Sequence, residues 1–344
     1  MREFEICPEP FFKRWGRRAI SVPALLFMAA LYTATLPLSL AIAIGVDLYR
    51  RRGIIVIRTV LFFGHYLSIN VFALSTAVLQ WIFAGTWAGS ARVGDAHARL
   101  ARWSQWLGAL WGRSLYRGAE RMFAAHTELE GEELLEGGPY IMFLRHISVG
   151  DTTIPYTFAS SRYGVNFRHV LKTELLNDPV MDICGHRWKN VFIKRESDSP
   201  EKEIAILREA MKDLSDNEGV AIWPEGTRFT PEKRERVLAS LAKKNSPLYR
   251  EASALKNVLP PHLGGPLGLL EANERADAVF CAHTGLDATQ HIRSFFNGSL
   301  IGETLRIKLW RVPFAEIPEE REERIKWLFD WWKVMDAWIG EARG

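Results

Sequence analysis

The stretch YIMFLRHISVGD, residues 140–151, decides the fold of this chain. It opens with five apolar residues, Tyr140 to Leu144, and a short apolar run bounded by polar residues is typical of a buried strand. Similar runs alternate with amphipathic, helix-like stretches along the following chain. These runs are Phe167 to Leu171, Val191 to Ile193, Val220 to Trp223, Asn257 to Leu259, Ala278 to Cys281 and Leu305 to Trp310. The alternation predicts an α/β fold with a mostly parallel sheet flanked by helices.

His146 and Asp151 follow the first predicted strand directly. A histidine that acts as a general base needs a partner on its far ring nitrogen, which fixes the tautomer and stabilises the imidazolium. A carboxylate five residues later can reach that nitrogen, so we predict His146 as the base and Asp151 as the orienting group. Ser148 lies between them, but no G-x-S-x-G turn surrounds it, which disfavours a serine nucleophile. The pair His283 and Asp287 has a different spacing and is interpreted as a polar cluster at a strand end.

A second loop, WPEGTR at residues 223–228, follows another predicted strand. The carboxyl ends of parallel strands form the ligand-binding edge of an open sheet, so this loop should meet the His146 loop. Its glycine permits a tight turn, and a guanidinium that ends a strand can bind two phosphate oxygens at once. The predicted substrate-binding residues are Lys172, Arg195, Glu225, Gly226, Thr227 and Arg228. For Glu225, three roles stay open: positioning an arginine, accepting from the substrate hydroxyl, or a purely structural role.

Four blocks of the sequence are similar to the motifs of one family. H-x-x-x-x-D stands at residues 146–151, KNVFIKR at 189–195, WPEGTR at 223–228 and VLPP at 258–261. Over roughly residues 120 to 340 the chain therefore resembles the glycerolipid acyltransferase family, which contains the 1-acylglycerol-3-phosphate acyltransferases. It departs from the family pattern at Trp223 in place of Phe, Lys189 in place of Gly, and Arg145 where Asn usually precedes the histidine.

The resemblance implies an O-acyltransferase of lipid metabolism. Such an enzyme transfers a fatty acyl group from an acyl thioester, acyl-CoA or acyl carrier protein, to the free hydroxyl of a lysophospholipid. The first expectation is conversion of lysophosphatidic acid to phosphatidic acid in phospholipid biosynthesis. One alternative is remodelling of a capped headgroup, such as lysophosphatidylinositol or lysophosphatidylglycerol. An alternative from another class is an inactive lipid-binding membrane scaffold.

Composition points to a lipid surface rather than to nucleic acid. The chain is 48% apolar, contains 13 Trp and has a net charge of +4. Tryptophan suits a water–lipid boundary, and the lysines and arginines cluster beside apolar stretches, where they can meet anionic lipids or substrate phosphates. No zinc-finger or basic-aromatic pattern for nucleic acid is present. The three cysteines are far apart, and Cys184 with His186 lacks further ligands at metal spacing, so we expect no disulfide framework, metal or cofactor.

The N-terminal part contains two long uncharged stretches. Residues 19–46 and 59–91 carry no Asp, Glu, Lys or Arg, and each is long enough for a transmembrane helix. The arginines at residues 50–52 lie between them, and a two-span topology would put this cluster on the side that basic loops avoid. A hairpin embedded in one leaflet avoids that conflict, and both geometries stay open. We predict membrane-anchoring helices at residues 1–105, an acyltransferase domain with a C-terminal amphipathic helix at 106–344, and the catalytic domain on the cytoplasmic side of a membrane.

Overall fold

The structure, a computed structural model, describes residues 9–84, 93–187, 189–193 and 200–343. Two long helices open the chain, and strands alternate with helices from residue 126 onward. The helices are α1 Phe11–Arg50, α2 Ile55–Ala84, α3 Val93–Phe123, α4 Ser161–Tyr163, α5 Pro179–Gly185, α6 Pro200–Met211, α7 Pro231–Lys243, α8 Tyr249–Ala254, α9 Gly264–Glu271, α10 Ser294–Asn297 and α11 Arg321–Arg343. The strands are β1 His126–Glu130, β2 Tyr140–Leu144, β3 Asn166–Lys172, β4 Val191–Ile193, β5 Glu218–Ile222, β6 Asp277–Thr284 and β7 Thr304–Val312.

The described strands form one sheet in the order β1-β7-β6-β2-β5-β3-β4. Strands β4, β3, β5, β2 and β6 run parallel, while β7 is antiparallel to β6 and β1 runs parallel to β7. This confirms the predicted mostly parallel sheet with flanking helices. The carboxyl ends of β2, β3 and β5 therefore lie at one edge, and the loops that follow them meet there.

The sequence prediction differs from the structure at two strands. Residues 257–259 form a loop rather than a strand, because the backbone N–H groups of Lys256, Asn257 and Val258 donate to one oxygen of Asp336 instead of to a neighbouring strand. The edge strand β1 was absent from the prediction. Its sequence HTELE alternates between exposed and half-buried residues and lacks an apolar run.

Successive strand residues point to opposite sides of the sheet, and in the central strands the residues on both sides are mostly apolar. Helices therefore cover both faces of the sheet. On one face, Phe143 and Phe280 pack with residues of α6, α9 and α11, and Trp332 is fully buried there. On the other face, Tyr140 and Met142 pack with Tyr116 of α3 and with the helical turn Pro155–Ser160. The central strands are buried on both sides, which explains why they are continuous apolar runs.

The helices α1 and α2 form a hairpin with a capped turn. The carboxylate of Asp47, near the end of α1, accepts from the backbone N–H groups of Val56 and Ile57 at 3.0 Å each, which satisfies donors in the first turn of α2. Both helices are long and apolar enough to cross a membrane. Large apolar side chains such as Phe27 and Phe83 are exposed on the hairpin, at 68% and 73%.

Helix α3 joins the hairpin to the sheet. The indole N–H of Trp111 donates to Asn70 Oδ1 of α2 at 3.2 Å, and Nε2 of His65 lies 2.9 Å from the carbonyl oxygen of Ser114. These contacts explain how two polar side chains are accommodated in the second apolar stretch. The predicted boundary between residues 105 and 106 falls inside α3, so the division into two domains stays a prediction.

Candidate active site

His146 and Asp151 lie in direct contact at the carboxyl end of β2. His146 Nδ1 is 3.2 and 3.1 Å from the two carboxylate oxygens of Asp151. Asp151 is fully buried, and its Oδ2 also accepts from the backbone N–H groups of Ile147 and Ser148 at 2.8 and 2.9 Å. Four contacts thus hold the carboxylate in place. Nε2 of His146 makes no hydrogen bond within the described residues, and the side chain is 18% exposed, so this nitrogen can meet a substrate proton.

Ser148 is a structural residue of this loop. Its side chain is fully buried, and its hydroxyl oxygen accepts from the backbone N–H of Gly150 at 2.7 Å and from the hydroxyl of Thr289 at 2.6 Å. A nucleophile must reach the substrate carbonyl, and a buried hydroxyl cannot. The geometry therefore favours direct base catalysis by His146 over a covalent serine intermediate.

Glu225 connects the His146 loop to the loop after α8. It is fully buried; Oε1 accepts from the backbone N–H of His146 at 2.7 Å, and Oε2 accepts from the backbone N–H of Leu259 at 2.8 Å. Burial raises the pKa of Glu225 to about 8, although both backbone hydrogen bonds act to lower it. Since both oxygens are occupied by backbone donors, the geometry favours a positioning role over the substrate contact predicted for this residue.

Gly226 makes the sharp turn of the WPEGTR loop. Its φ is +61°, a left-handed conformation that favours glycine, and a Cβ at this position would lie 2.9 Å from Cδ2 of His262. The backbone N–H of His262 donates to the carbonyl of Pro224 at 2.8 Å, and that of Phe229 donates to the carbonyl of His146 at 2.8 Å. The turn thus fixes the WPEGTR loop against two neighbouring loops.

Thr227 and Arg228 are held by Lys233, a residue that the sequence interpretation missed. The Nζ of Lys233 donates to Oγ1 of Thr227 at 3.0 Å and to the carbonyl of Arg228 at 2.9 Å. The only sequence signal was its position in the first turn of the helix after the loop. The Arg228 side chain is half-buried and forms no ion pair in the described part of the chain, so its guanidinium is available to an anion.

Lys172 and Arg195 are the two remaining predicted residues. Lys172 is the last residue of β3, in register with Ile193 of β4, and therefore lies at the same sheet edge as His146. Arg195 lies outside the described residues. Their roles as phosphate ligands stay predictions.

Part of this chain is similar to known proteins. Residues 126–257, from β1 to the loop held by Glu225 and Asp336, match the family model described as Acyltransferase. This segment of the chain therefore matches an acyltransferase domain. The match includes both loops that carry His146, Asp151 and Glu225.

Curated relatives are 1-acyl-sn-glycerol-3-phosphate acyltransferases by name. The chain is 24% identical over 179 residues to probable acyltransferase 5 of Arabidopsis thaliana, covering 51% of this chain and 46% of that protein. It is 25% identical over 190 residues to the human delta enzyme, covering 53% and 47%. It is 23% identical over 286 residues to the mouse epsilon enzyme, covering 72% and 75%. The chain thus spans about half the length of the first two relatives.

A solved structure has a similar fold. The 1-acyl-sn-glycerophosphate acyltransferase PlsC of Thermotoga maritima aligns with a TM-score of 0.51 and 13% identity over 84% of this chain and 95% of that one. At this identity the likeness concerns the fold. It covers more of the chain than the 126–257 family match does.

Arg145 of the acyltransferase domain forms hydrogen bonds to three segments of the chain. It is fully buried and donates to the carbonyls of His283 and Asn257 and, at 3.4 Å, to Oδ1 of Asp287. Asp287 also pairs with Arg343 at the end of α11. The arginine that departs from the family pattern therefore connects the loops around the site rather than facing substrate.

His283 completes the buried polar cluster beside Asp151. Its Nε2 lies 3.2 Å from the carbonyl of Arg145 and 4.0 Å from Oδ2 of Asp151. Burial lowers the pKa of His283 to about 4, so this ring is neutral near pH 7. His146 therefore is the imidazole whose charge Asp151 can balance when a proton is transferred.

Proposed function

We propose that this chain is a membrane-bound O-acyltransferase that transfers an acyl group from a thioester to the hydroxyl of a lysophospholipid. One observation carries the proposal: the ring of His146 is fixed by a buried carboxylate at Nδ1, while Nε2 is accessible. Nε2 takes the proton of the attacking hydroxyl as its oxygen bonds to the thioester carbonyl carbon. Asp151 stabilises the resulting imidazolium. The carbon–sulfur bond then breaks, the thiolate leaves, and the new ester is released.

The proposed acceptor is lysophosphatidic acid, and the proposed donor is acyl-CoA or acyl carrier protein. Arg228 provides a cation on the loop that is fixed to His146, and a phosphate bound there would orient the distant hydroxyl. The names of the relatives support the same acceptor. The second candidate is acylation of a lysophospholipid whose phosphate is capped, that is, already esterified to a headgroup. Such a phosphodiester would bind the same cation but carries one negative charge fewer than a monoester. An inactive scaffold has no need for an accessible, carboxylate-fixed imidazole.

An acceptor panel tests this assignment. Membranes containing the protein receive one acyl-CoA with either lysophosphatidic acid or lysolipids whose phosphate is capped. We expect lysophosphatidic acid to be the fastest acceptor, because its phosphate monoester carries more negative charge and binds the Arg228 guanidinium more strongly. Arg228→Ala should reduce kcat/KM for lysophosphatidic acid by roughly ten- to a hundred-fold, since a charge-assisted contact contributes about 1.5 to 3 kcal/mol. A capped acceptor should lose less.

Arg236→Ala is the matched control for this substitution. Arg236 is exposed on α7, and its side chain contacts the backbone carbonyl of Glu232 in its own helix. This variant should keep the parent's acceptor ranking and rate. A parent that prefers a capped lysolipid, with equal losses on both acceptors after Arg228→Ala, would favour the remodelling function. Failure of every acceptor with both acyl-CoA and acyl carrier protein would favour the scaffold.

We propose further that the hairpin is embedded in one leaflet on the side of the catalytic domain. Near the start of α1, Arg17 donates to both oxygens of Asp182 on α5 at 3.0 Å, and near its end Arg50 donates to the carbonyl of Phe296 at 3.0 Å. Arg17 and Arg50 are 33 positions apart on α1. At about 1.5 Å per residue this is about 50 Å, which exceeds the roughly 30 Å thickness of the hydrocarbon core. A folded domain that binds both ends of α1 supports placing both ends on one side of the membrane. Basic clusters at both ends favour the cytoplasmic side.

Cysteine labelling tests this topology. Arg52→Cys in the turn, Arg102→Cys in α3 and Lys326→Cys in α11 are placed singly in a background without native cysteines. We expect a membrane-impermeant maleimide to label all three from the same side in sealed vesicles of known orientation, because each position is attached to the same domain. Permeabilised vesicles provide the control for accessibility. Labelling at residue 52 from the opposite side would establish a two-span topology instead.

A further inference from the structure

The outer face of α3 carries a line of arginines beside a cavity whose lining includes no residue of the His146 site. Arg113, Arg117 and Arg121 are spaced by four residues, so they lie on successive turns of one helix face, and all three are exposed. They border a cavity of about 390 Å³. Its remaining lining residues are His65 of α2 and Leu110, Ser114, Gly118 and Met122 of α3.

The charge of this face is poorly balanced within the described part of the chain. Arg117 lies 3.9 Å from a carboxylate oxygen of Glu120, beyond hydrogen-bond distance. Arg113 donates to the neutral hydroxyl of Ser161 at 3.2 Å, and Arg121 forms no ion pair with the described residues. Like charges four residues apart repel one another on a helix surface. An anion in the cavity would relieve that repulsion.

The cavity wall between the two helices is closely packed. His65 Nε2 lies 2.9 Å from the carbonyl oxygen of Ser114 and 3.3 Å from its hydroxyl. A Cβ at Gly118 would lie 2.5 Å from Cδ2 of His65, so the glycine is what lets the imidazole lie against α3. The space beside the arginines is therefore bounded by a fixed side chain.

An apolar surface begins at the same place. Leu61, Ser68 and Phe72 lie on the same face of α2 as His65, because they are four residues before it and three and seven residues after it. Leu61 and Phe72 are 43% and 46% exposed. This helix is one of the two that are long and apolar enough for a membrane. A ligand with a phosphate at the arginines could thus lay hydrocarbon along α2.

We propose that this cavity binds the phosphate-bearing headgroup of an anionic membrane phospholipid, with its acyl chains along α2. The guanidiniums of α3 bind the phosphate oxygens, and Leu61 and Phe72 contact the chains. Inorganic phosphate has the same headgroup chemistry without the chains. The site is additional to the proposed acyl transfer, and binding there requires no turnover.

Lipid binding to the purified full chain in neutral detergent tests the proposal by native mass spectrometry. The probes are dioleoyl phosphatidylglycerol, dioleoylglycerol with the same chains but no phosphate, and inorganic phosphate as competitor. The first variant combines Arg113→Gln, Arg117→Gln and Arg121→Gln. The second, Leu110→Trp, fills the cavity and keeps every charge. The charge-matched control combines Lys212→Gln, Arg250→Gln and Lys326→Gln, which are exposed on other parts of the surface.

We expect one phosphatidylglycerol to bind the parent, and the triple α3 variant to weaken this binding by roughly a hundred-fold, since each basic residue near an anionic headgroup contributes about a factor of five. Leu110→Trp should weaken it as well, whereas the control triple should not. Dioleoylglycerol should not bind at this site, and inorganic phosphate should compete only at far higher concentration. Unchanged binding in the α3 triple variant, or equal loss in the control triple, would overturn the site. Phosphate that competes as well as the lipid would overturn the role of the chains.

Discussion

Replacing His146 with alanine should reduce acyl transfer by roughly a hundred- to ten-thousand-fold, which is the usual contribution of a positioned general base. The loss should fall on kcat, because His146 acts on the proton that moves in the transition state. Asp151→Asn should leave a trace of activity, since the base remains but its imidazolium loses a balancing charge. An amide at residue 151 also brings an N–H group toward the backbone donors of Ile147 and Ser148.

Initial rates with saturating donor and acceptor measure this prediction, together with the membrane-bound amount of each variant. Ser148→Ala is the internal control: its hydroxyl is buried in the same loop, so we expect only a small loss of rate. Substantial activity in a correctly inserted His146→Ala protein would contradict the mechanism. Complete loss in Ser148→Ala, with the fold intact, would bring back a serine nucleophile.

Much of the fold could be predicted because it depends on local patterns. The strand Tyr140–Leu144 and the strand Val191–Ile193 have the predicted bounds, since both are short apolar runs in a sheet covered on two faces. The pairing of His146 with Asp151 also follows from sequence, because the two residues are separated by one tight turn. Local patterns and chain geometry suffice for such features.

What sequence could not predict depends on contacts between distant segments. Glu225 has two oxygens that bind backbone groups of residues 79 and 34 positions away, and no local pattern indicates those partners. Arg145 likewise binds carbonyls from β6 and from residue 257. The strand predicted at residues 257–259 was wrong for the same reason, because its backbone donors bind a carboxylate from α11. Tertiary contacts of this kind override strand propensity.

The carboxylate of Asp336 is expected to be the most sensitive position outside the His146 loop. One of its oxygens accepts from the backbone N–H groups of Lys256, Asn257 and Val258, including a 3.1 Å bond to Val258. The next residue, Leu259, donates its N–H to Glu225 and accepts from the indole of Trp332 at 2.9 Å. A chain of hydrogen bonds therefore runs from α11 through this loop and Glu225 to the backbone of His146.

Asp336→Ala should remove the common acceptor and leave the buried N–H of Val258 without a partner. A buried N–H group without a hydrogen-bond partner lowers the free energy of unfolding by about 1 to 3 kcal/mol. The loop would also move away from Glu225, and because displacement of a catalytic group by about 1 Å can cost roughly a hundred-fold in rate, we expect a loss of that order in kcat. Thermal unfolding in detergent and initial rates below the melting temperature separate the two effects.

Two further α11 variants make this prediction specific. Asp336→Asn keeps an oxygen at the same place and should retain most of the stability and rate. Asp330→Ala removes a carboxylate whose side chain is 52% exposed and pairs with Lys333 at 3.0 Å on the same helix, so both quantities should stay near the parent values. If Asp336→Ala lost stability but kept the parent's kcat, α11 would support the fold without positioning His146, and the hydrogen-bond chain through Glu225 would have no catalytic role.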